Sequence, residues 1–301
     1  MARTVRGERS IYTPASLPGV DHLRAQFVRH AFARHTHDDV YVIGLIEEGA
    51  QASRLGNKEH VSTKGTVVLI NPTEAHDGRT TGEVGYAYHS LHVDAAVLAR
   101  ILADEIEDGA TTGRGGVERF PFFAAPLLND PEVTSSLRLA CDSLSNRNAN
   151  IIERESLLLE ALTLLLHRRC ALVSRPVERD IEGPLARTVR DYLHAHMTDA
   201  GISVDRIARA CGRTRSHVTR IFARSYGLAP HAYLNQIRAK DARRQLLAGE
   251  KPSAVAVAVG FVDQSHLTRR LRAIYGITPG VAQAAWIART SGAQRRHSPA
   301  W

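Results

Sequence analysis

Two groups of side chains in this sequence have the types and spacing to do chemistry. The first comprises Arg215, Ser216, Thr219 and Arg220, echoed further on by Gln264, Ser265, Thr268 and Arg269. Arginine can donate twice to guanine and glutamine can pair with adenine, while serine and threonine reach phosphates or base edges. These are residues for reading DNA. The second group is His35-Thr36-His37 with His76, together with Tyr41, Tyr86 and Tyr88. His35 and His37 are two apart, so on a strand they project from one face. With His76 they could hold zinc, iron or nickel. The same groups serve equally as polar handles in a small-molecule pocket, or as structural or surface histidines. The sequence contains no nucleophile elbow and no carboxylate pair in a recognisable motif, so no enzyme is expected.

The first group sits in a repeat. One copy reads Ile207-Ala208-Arg209-Ala210-Cys211-Gly212, then His217-Val218-Thr219-Arg220, then Tyr226-Gly227-Leu228-Ala229-Pro230. The other reads Val255-Ala256-Val257-Ala258-Val259-Gly260, then His266-Leu267-Thr268-Arg269, then Tyr275-Gly276-Ile277-Thr278-Pro279. The offset is 48 residues up to the glycine and 49 beyond it. Each copy predicts a short apolar helix, a glycine that permits the turn, an N-cap at Thr214 or Asp263, and a second helix. Val218, Ile221 and Phe222 should face inward in the first copy, and Leu267, Leu271 and Ile274 in the second. Any helix has a polar exterior; a duplicated one of this chemistry on a basic segment points to nucleic acid. Between the copies, His231 to Leu247 reads as a helix with Tyr233, Leu234, Ile237, Ala242 and Leu246 buried and Arg238, Lys240, Arg243 and Arg244 on its basic side. It would set the two units at a spacing suited to successive major grooves.

Charge supports this division. The chain of 301 residues carries +8 overall, with +12 from Ile181 onward and −4 before it. A basic part joined to a mildly acidic part implies one domain that meets a polyanion and one that does not. Cys141, Cys170 and Cys211 are far apart and odd in number. That spacing argues against a disulfide framework and a cysteine-based zinc site, and fits a reducing compartment. No signal peptide is evident, and the run Leu157–Leu166, broken by Glu160, is far short of the roughly 20 residues that span a bilayer. A cytoplasmic protein without membrane association is expected.

The first half reads as β structure. Val40–Ile46, with Glu47-Glu48-Gly49 as a following turn, Thr66–Ile70 and the alternating Gly85–Val93 are strand-like, which predicts an antiparallel barrel or sandwich. Gly113–Gly116 is a loop without the lysine and hydroxyl of a phosphate cradle. Pro131–Leu144 and Ile151–Arg169 read as helices, and the leucines of the second exceed what one buried face requires, leaving dimerisation or an intrachain core as destinations.

The segment Ile202–Ala282 resembles the C-terminal domain of the AraC/XylS transcription regulators. The resemblance rests on Ile207-Ala208, His217 to Phe222, Tyr226-Gly227, Pro230, Tyr233-Leu234, Arg238, Ala242, Leu246-Leu247, Val259-Gly260-Phe261, Ser265-His266-Leu267, Tyr275-Gly276 and Pro279. It implies two helix-turn-helix units, with base-reading positions at Ser216, Thr219 and Arg220 and at Gln264, Ser265, Thr268 and Arg269, and Arg215 beside them. Leu271 stands where the family has phenylalanine, Val255-Ala256 where it has a larger pair, and Ser216 where a longer reader is common. The first half is similar, more weakly, to the family's cupin-like effector domain; Tyr41 stands where a cupin would carry its glutamate ligand. The resemblance therefore implies an α+β chain: an antiparallel cupin-like β-barrel with a helical dimerisation segment, then an all-α double helix-turn-helix domain. The expected limits are 1–130 for the effector domain, 131–172 for the helical segment, 173–184 for a linker, 185–287 for the DNA-binding domain and 288–301 for a flexible tail. The expected function is a sequence-specific, ligand-responsive activator. Its partners would be double-stranded DNA, a small polar metabolite, RNA polymerase and a second copy of itself. His37, Tyr41, His76, Tyr86 and Tyr88 are the effector-pocket candidates. No cofactor and no metal are expected, with His35, His37 and His76 as the alternative metal set. Two other readings stay open: a metal-dependent cupin enzyme fused to a DNA-binding domain, and a constitutive regulator whose barrel only dimerises.

Overall fold

A computed structural model describes residues 7–15, 17–108, 120–146, 148–173, 183–199 and 201–296, the side chains of 104–108 and 289–296 apart. The glycine loop at 113–116 and most of the expected linker lie outside these. The chain forms two compact units, Met1–His30 with His37–Glu178, and Ala31–Thr36 with Arg179–Trp301.

The first unit contains strands β1 (Arg9–Pro14) and β2 (Val20–Phe27); β3 (Ala31–His35) follows in the chain but groups with the second unit. Then come β4 (Val40–Leu55), β5 (Lys58–Thr63), β6 (Val67–Ile70), β7 (His76–Thr80) and β8 (Tyr86–Asp94). Helix α1 (Ala95–Asp108), β9 (Phe120–Phe123), β10 (Leu127–Leu128), α2 (Pro131–Ser145), α3 (Ile151–Arg169) and β11 (Cys170–Val173) complete it. The main sheet runs β1-β2-β8-β4-β6-β10, antiparallel throughout. The described path does not close, so the class is a sheet-rich antiparallel domain rather than a complete barrel. β11 pairs with β9, a strand where only the end of a helical segment was expected.

Glu47-Glu48-Gly49 is not a turn. β4 runs through it with a bulge between Ile46 and Glu48, and its far half pairs with β5 and β7. Gly49, at φ +72, makes the bend possible: a Cβ there would lie 2.0 Å from the Gly85 carbonyl oxygen.

The strands have two buried faces. Tyr41, Ile43, Leu45, Leu91 and Val93 pack with α1, α2 and α3 through Val97, Leu98, Val133, Leu137, Leu158, Leu162 and Leu165. Val42, Leu55, Val68 and Ile70 form a cluster on the opposite face. Burial of leucines such as Leu158, Leu162 and Leu165, each worth ~1.5–3 kcal/mol, uses most of the leucine surplus of α3 within the chain. Leu139, Ile152 and Leu159 stay exposed.

The second unit is helical: α4 (Pro184–Ala195), α5 (Val204–Ala210), α6 (Arg215–Tyr226), α7 (Pro230–Leu247), α8 (Pro252–Ala258), α9 (Gln264–Tyr275) and α10 (Pro279–Arg296). β3 packs against α7 and α9. α10 runs well into the stretch 288–301 expected as a tail; its alanines, glutamine and arginines favour helix. No described helix is long and apolar enough to cross a membrane.

Candidate nucleic-acid interface

Each repeat folds by the same local rules. α5 stops before Gly212 (φ +60) and α8 before Gly260 (φ +89), left-handed positions that suit glycine. α6 then starts at Thr214, whose hydroxyl accepts from the His217 amide at 3.3 Å. α9 starts at Asp263, whose Oδ1 accepts from the His266 amide at 2.6 Å. Both helices end on a left-handed glycine, Gly227 or Gly276, and a proline opens the helix after each. Val218 and Phe222 are fully buried under α6, with Ile221 half-buried; Leu267, Leu271 and Ile274 are buried under α9.

The polar faces are therefore left outward. Ser216, Arg220, Gln264, Ser265 and Arg269 are exposed, and Thr219 and Thr268 half-buried. Arg220 and Arg269 make no ion pair among the described residues. Arg215 differs: it is exposed, but its guanidinium lies 3.1 Å from both carboxylate oxygens of Asp205 on α5. Such a surface pair is worth ~0–1 kcal/mol, so a phosphate could displace it. The Thr268 hydroxyl donates to the Gln264 carbonyl at 2.8 Å, which engages its proton within the helix. Behind α9, His266 stacks edgewise on Phe261 and accepts from Arg270 Nε at 3.3 Å. Burial first, then Arg270 and Arg269, lower its pKa.

The connecting helix α7 is buried on more sides than its pattern predicts. The Tyr233, Leu234, Ile237, Ala242 and Leu246 stripe is buried, and so are Asn235, Gln236 and Arg238. Arg238 is thus not on the basic exterior. Its Nε donates to the Met197 carbonyl at 2.7 Å and its Nη2 to that of Asp199 at 3.1 Å. Lys240 and Arg244 are exposed, and Arg243 lies 4.8 Å over the Tyr275 ring. Gln236 meets Thr36 twice: its Oε1 accepts from the Thr36 amide and its Nε2 donates to Thr36 Oγ1, each at 2.8 Å. Sequence reasoning singled out neither contact; a buried polar partner 200 residues away leaves no periodic signal.

The effector candidates divide by strand parity. On β8, Tyr86, Tyr88 and His92 alternate with His89, Leu91 and Val93, so they face away from the helices. Tyr86 and Tyr88 lie ring to ring at 5.4 Å, and Tyr86 Oη accepts from Gln51 Nε2 at 2.9 Å. His37 lies 5.2 Å, ring to ring, from both His76 and His92. Tyr41 is on the other face. It is paired in register with Val93, it sits in the helix-packed core against Phe123, and its hydroxyl donates to the Pro121 carbonyl at 2.6 Å. Burial raises its pKa to about 12. Tyr41 is therefore a core residue, not a companion of the other four. The strand premise for His35 and His37 also fails: β3 ends at His35, and His37 lies beyond it in irregular chain. His35, counted with the second unit, has its Nδ1 2.7 Å from the Ala33 carbonyl, and His76 Nδ1 lies 2.8 Å from that of Glu74.

A sheet-rich antiparallel unit followed by a helical unit with two capped helix-turn-helix copies defines a DNA-binding transcription regulator with a separate N-terminal domain. Comparison with known proteins agrees. Residues 17–162 match the AraC-like ligand binding domain, and residues 207–285 match a helix-turn-helix domain. The chain is 26% identical to the HTH-type transcriptional regulator YbfI of Bacillus subtilis, covering 82% of this chain and 86% of that one. It is 34% identical to the transcriptional activator NphR of a Rhodococcus species, over 31% of this chain and 28% of that one. A crystal structure of an apo single-residue variant of ToxT from Vibrio cholerae has the same fold, with a TM-score of 0.53 and 15% identity over 91% of this chain and all of that one. The chain thus carries an AraC-like ligand binding domain followed by a helix-turn-helix domain, the domain pairing of AraC-type transcription regulators.

Proposed function

We propose that this regulator reads a specific DNA site with α6 and α9 and responds to a small polar ligand held by its N-terminal unit. One observation carries the DNA reading: two N-capped helices of matching construction both leave arginine, serine and threonine outward, on a segment of charge +12. Ser216, Thr219 and Arg220 on α6, and Gln264, Ser265, Thr268 and Arg269 on α9, are the base-reading set, with Arg215 exchanging Asp205 for a phosphate. The ligand would be met on the sheet face turned away from the helices, where His37, His76, Tyr86 and Tyr88 are joined by Gln51 and His92. Ser53, on β4 with Gln51 and buried with a hydroxyl that lacks a hydrogen-bond partner, adds polar capacity there. The matched ligand-binding domain and the activator role of NphR support a ligand-responsive activator acting with RNA polymerase. The exposed Leu139, Ile152 and Leu159 support a homodimer through α2 and α3. A ligand acts in such a protein only by binding two arrangements with different affinity.

The test is quantitative footprinting on an operator found by genome-wide occupancy mapping. Arg220→Ala and Arg269→Ala are each expected to weaken specific binding by about 1–3 kcal/mol and to relax preference at one base position. If instead both variants lose affinity equally on operator and random DNA, with only the salt slope reduced, the helices touch phosphates and the base-reading assignment is wrong.

A further inference from the structure

Three groups from distant parts of the N-terminal unit meet between the sheet and α2. His22 on β2 and His89 on β8 face the helices, and Cys141 on α2 faces back toward them. All three are buried, at 1, 2 and 1% exposure, and one ligand atom from each lies within 4.8 Å of the others. The two imidazoles lie nearly parallel and are joined by a hydrogen bond of 2.8 Å between His22 Nε2 and His89 Nδ1. His22 Nδ1 has no hydrogen-bond partner, which is costly for a buried ring nitrogen. Asp142, beside the cysteine, places Oδ1 3.9 Å from His89 Nε2 at the half-exposed edge of the group.

We propose that His22, His89 and Cys141 bind one transition-metal ion of the zinc(II) class, the fourth position being left to a solvent oxygen. The donor chemistry selects the ion: two imidazoles and one thiolate suit zinc, whereas hard oxygen-seeking cations need carboxylates and carbonyls. Burial holds both imidazoles neutral, which leaves nitrogen lone pairs for coordination. Nearby Arg24 and Arg138 oppose added positive charge, and Arg138 is already neutralised by Glu47 at 3.0 Å. The ion enters as a dication and the Cys141 thiol gives up one proton to solvent, which leaves one net positive charge that the nearby Asp142 carboxylate opposes from the exposed edge. The fit requires a small adjustment. Two nitrogens around a tetrahedral zinc stand ~3.4 Å apart given bonds of about 2.1 Å, so the rings must part by roughly half an ångström and exchange their mutual hydrogen bond for metal bonds. The bound ion would rivet α2 to two adjacent strands. This inference is independent of the DNA reading.

The experiment uses the full chain, stripped of metal, with cobalt(II) as the spectroscopic probe and zinc as competitor. One equivalent of cobalt is expected to give the intense visible bands of a tetrahedral site and a near-ultraviolet thiolate charge-transfer band, both abolished by one equivalent of zinc. The thiolate band should persist in the Cys170→Ser, Cys211→Ser double variant and vanish in Cys141→Ala. Absence of the band in the unaltered chain, or its survival in a folded Cys141→Ala protein, overturns the proposal. Should Cys141→Ala fail to fold, X-ray absorption on the zinc-loaded double variant decides. One sulfur at about 2.3 Å supports the site, and a shell of nitrogen and oxygen alone refutes it.

Discussion

At the scale of single residues, Gly260 and Arg238 show how a turn in the second repeat is tied to the connecting helix α7. A Cβ on Gly260 would lie 2.9 Å from the Met197 carbonyl oxygen and 3.0 Å from two guanidinium nitrogens of Arg238. Its φ of +89 already disfavours any side chain. Gly212 shares the left-handed backbone but has open space around it. Gly212→Ala should therefore cost only the conformational penalty of about 1–2 kcal/mol, and Gly260→Ala clearly more, since a backbone oxygen cannot step aside. Urea unfolding of the full chain checks this; equal losses at the two glycines would mean that the Arg238 contacts contribute nothing. The sequence marked both glycines through the repeat, yet placed Arg238 on a basic exterior. Helical spacing reveals one buried stripe, and α7 is packed on several sides, so spacing alone misassigns whatever lies on the second.

At the scale of elements, the two caps offer a cleaner test. Thr214→Ala and Asp263→Ala each remove one side-chain acceptor from a helix start, at a cost of about 0.5–2 kcal/mol. The losses should add within about 0.5 kcal/mol, since the caps share no partner. Thermal unfolding of the single and double variants measures this, and strong non-additivity would show that the two starts are coupled. Capping residues, left-handed glycines and prolines are local chemistry, which is why both helix-turn-helix copies were legible. The strands were less so. Val40–Ile46 was read correctly, but the chain beyond it continues through a bulge that composition presents as a turn. Tyr41 was grouped with Tyr86 and Tyr88 because parity between strands depends on register, and register is set by pairing partners far along the chain.

At the scale of the whole molecule, the charge division and the repeat announced a DNA-binding unit, and the structure adds what could not be read from them. His22, His89 and Cys141 converge from three elements and have no common spacing, so rules built on closely spaced ligand pairs pass over them. The unit boundaries are similarly hidden: six residues from the early chain, 31–36, belong with the helices of the late chain.

That last feature changes what a truncated version of this protein would be. A piece beginning near Gly183 keeps α6 and α9 but loses Thr36, and with it the partner of a glutamine that is only 4% exposed in the intact chain. Loss of the strand also uncovers that amide, so water replaces Thr36 as its partner. Gln236→Leu should therefore cost about 1–3 kcal/mol in the intact chain, where it leaves the Thr36 groups unpaired, and little in the fragment, as melting temperatures of the four proteins would record. Equal losses in both would show that the Thr36 hydrogen bonds contribute nothing.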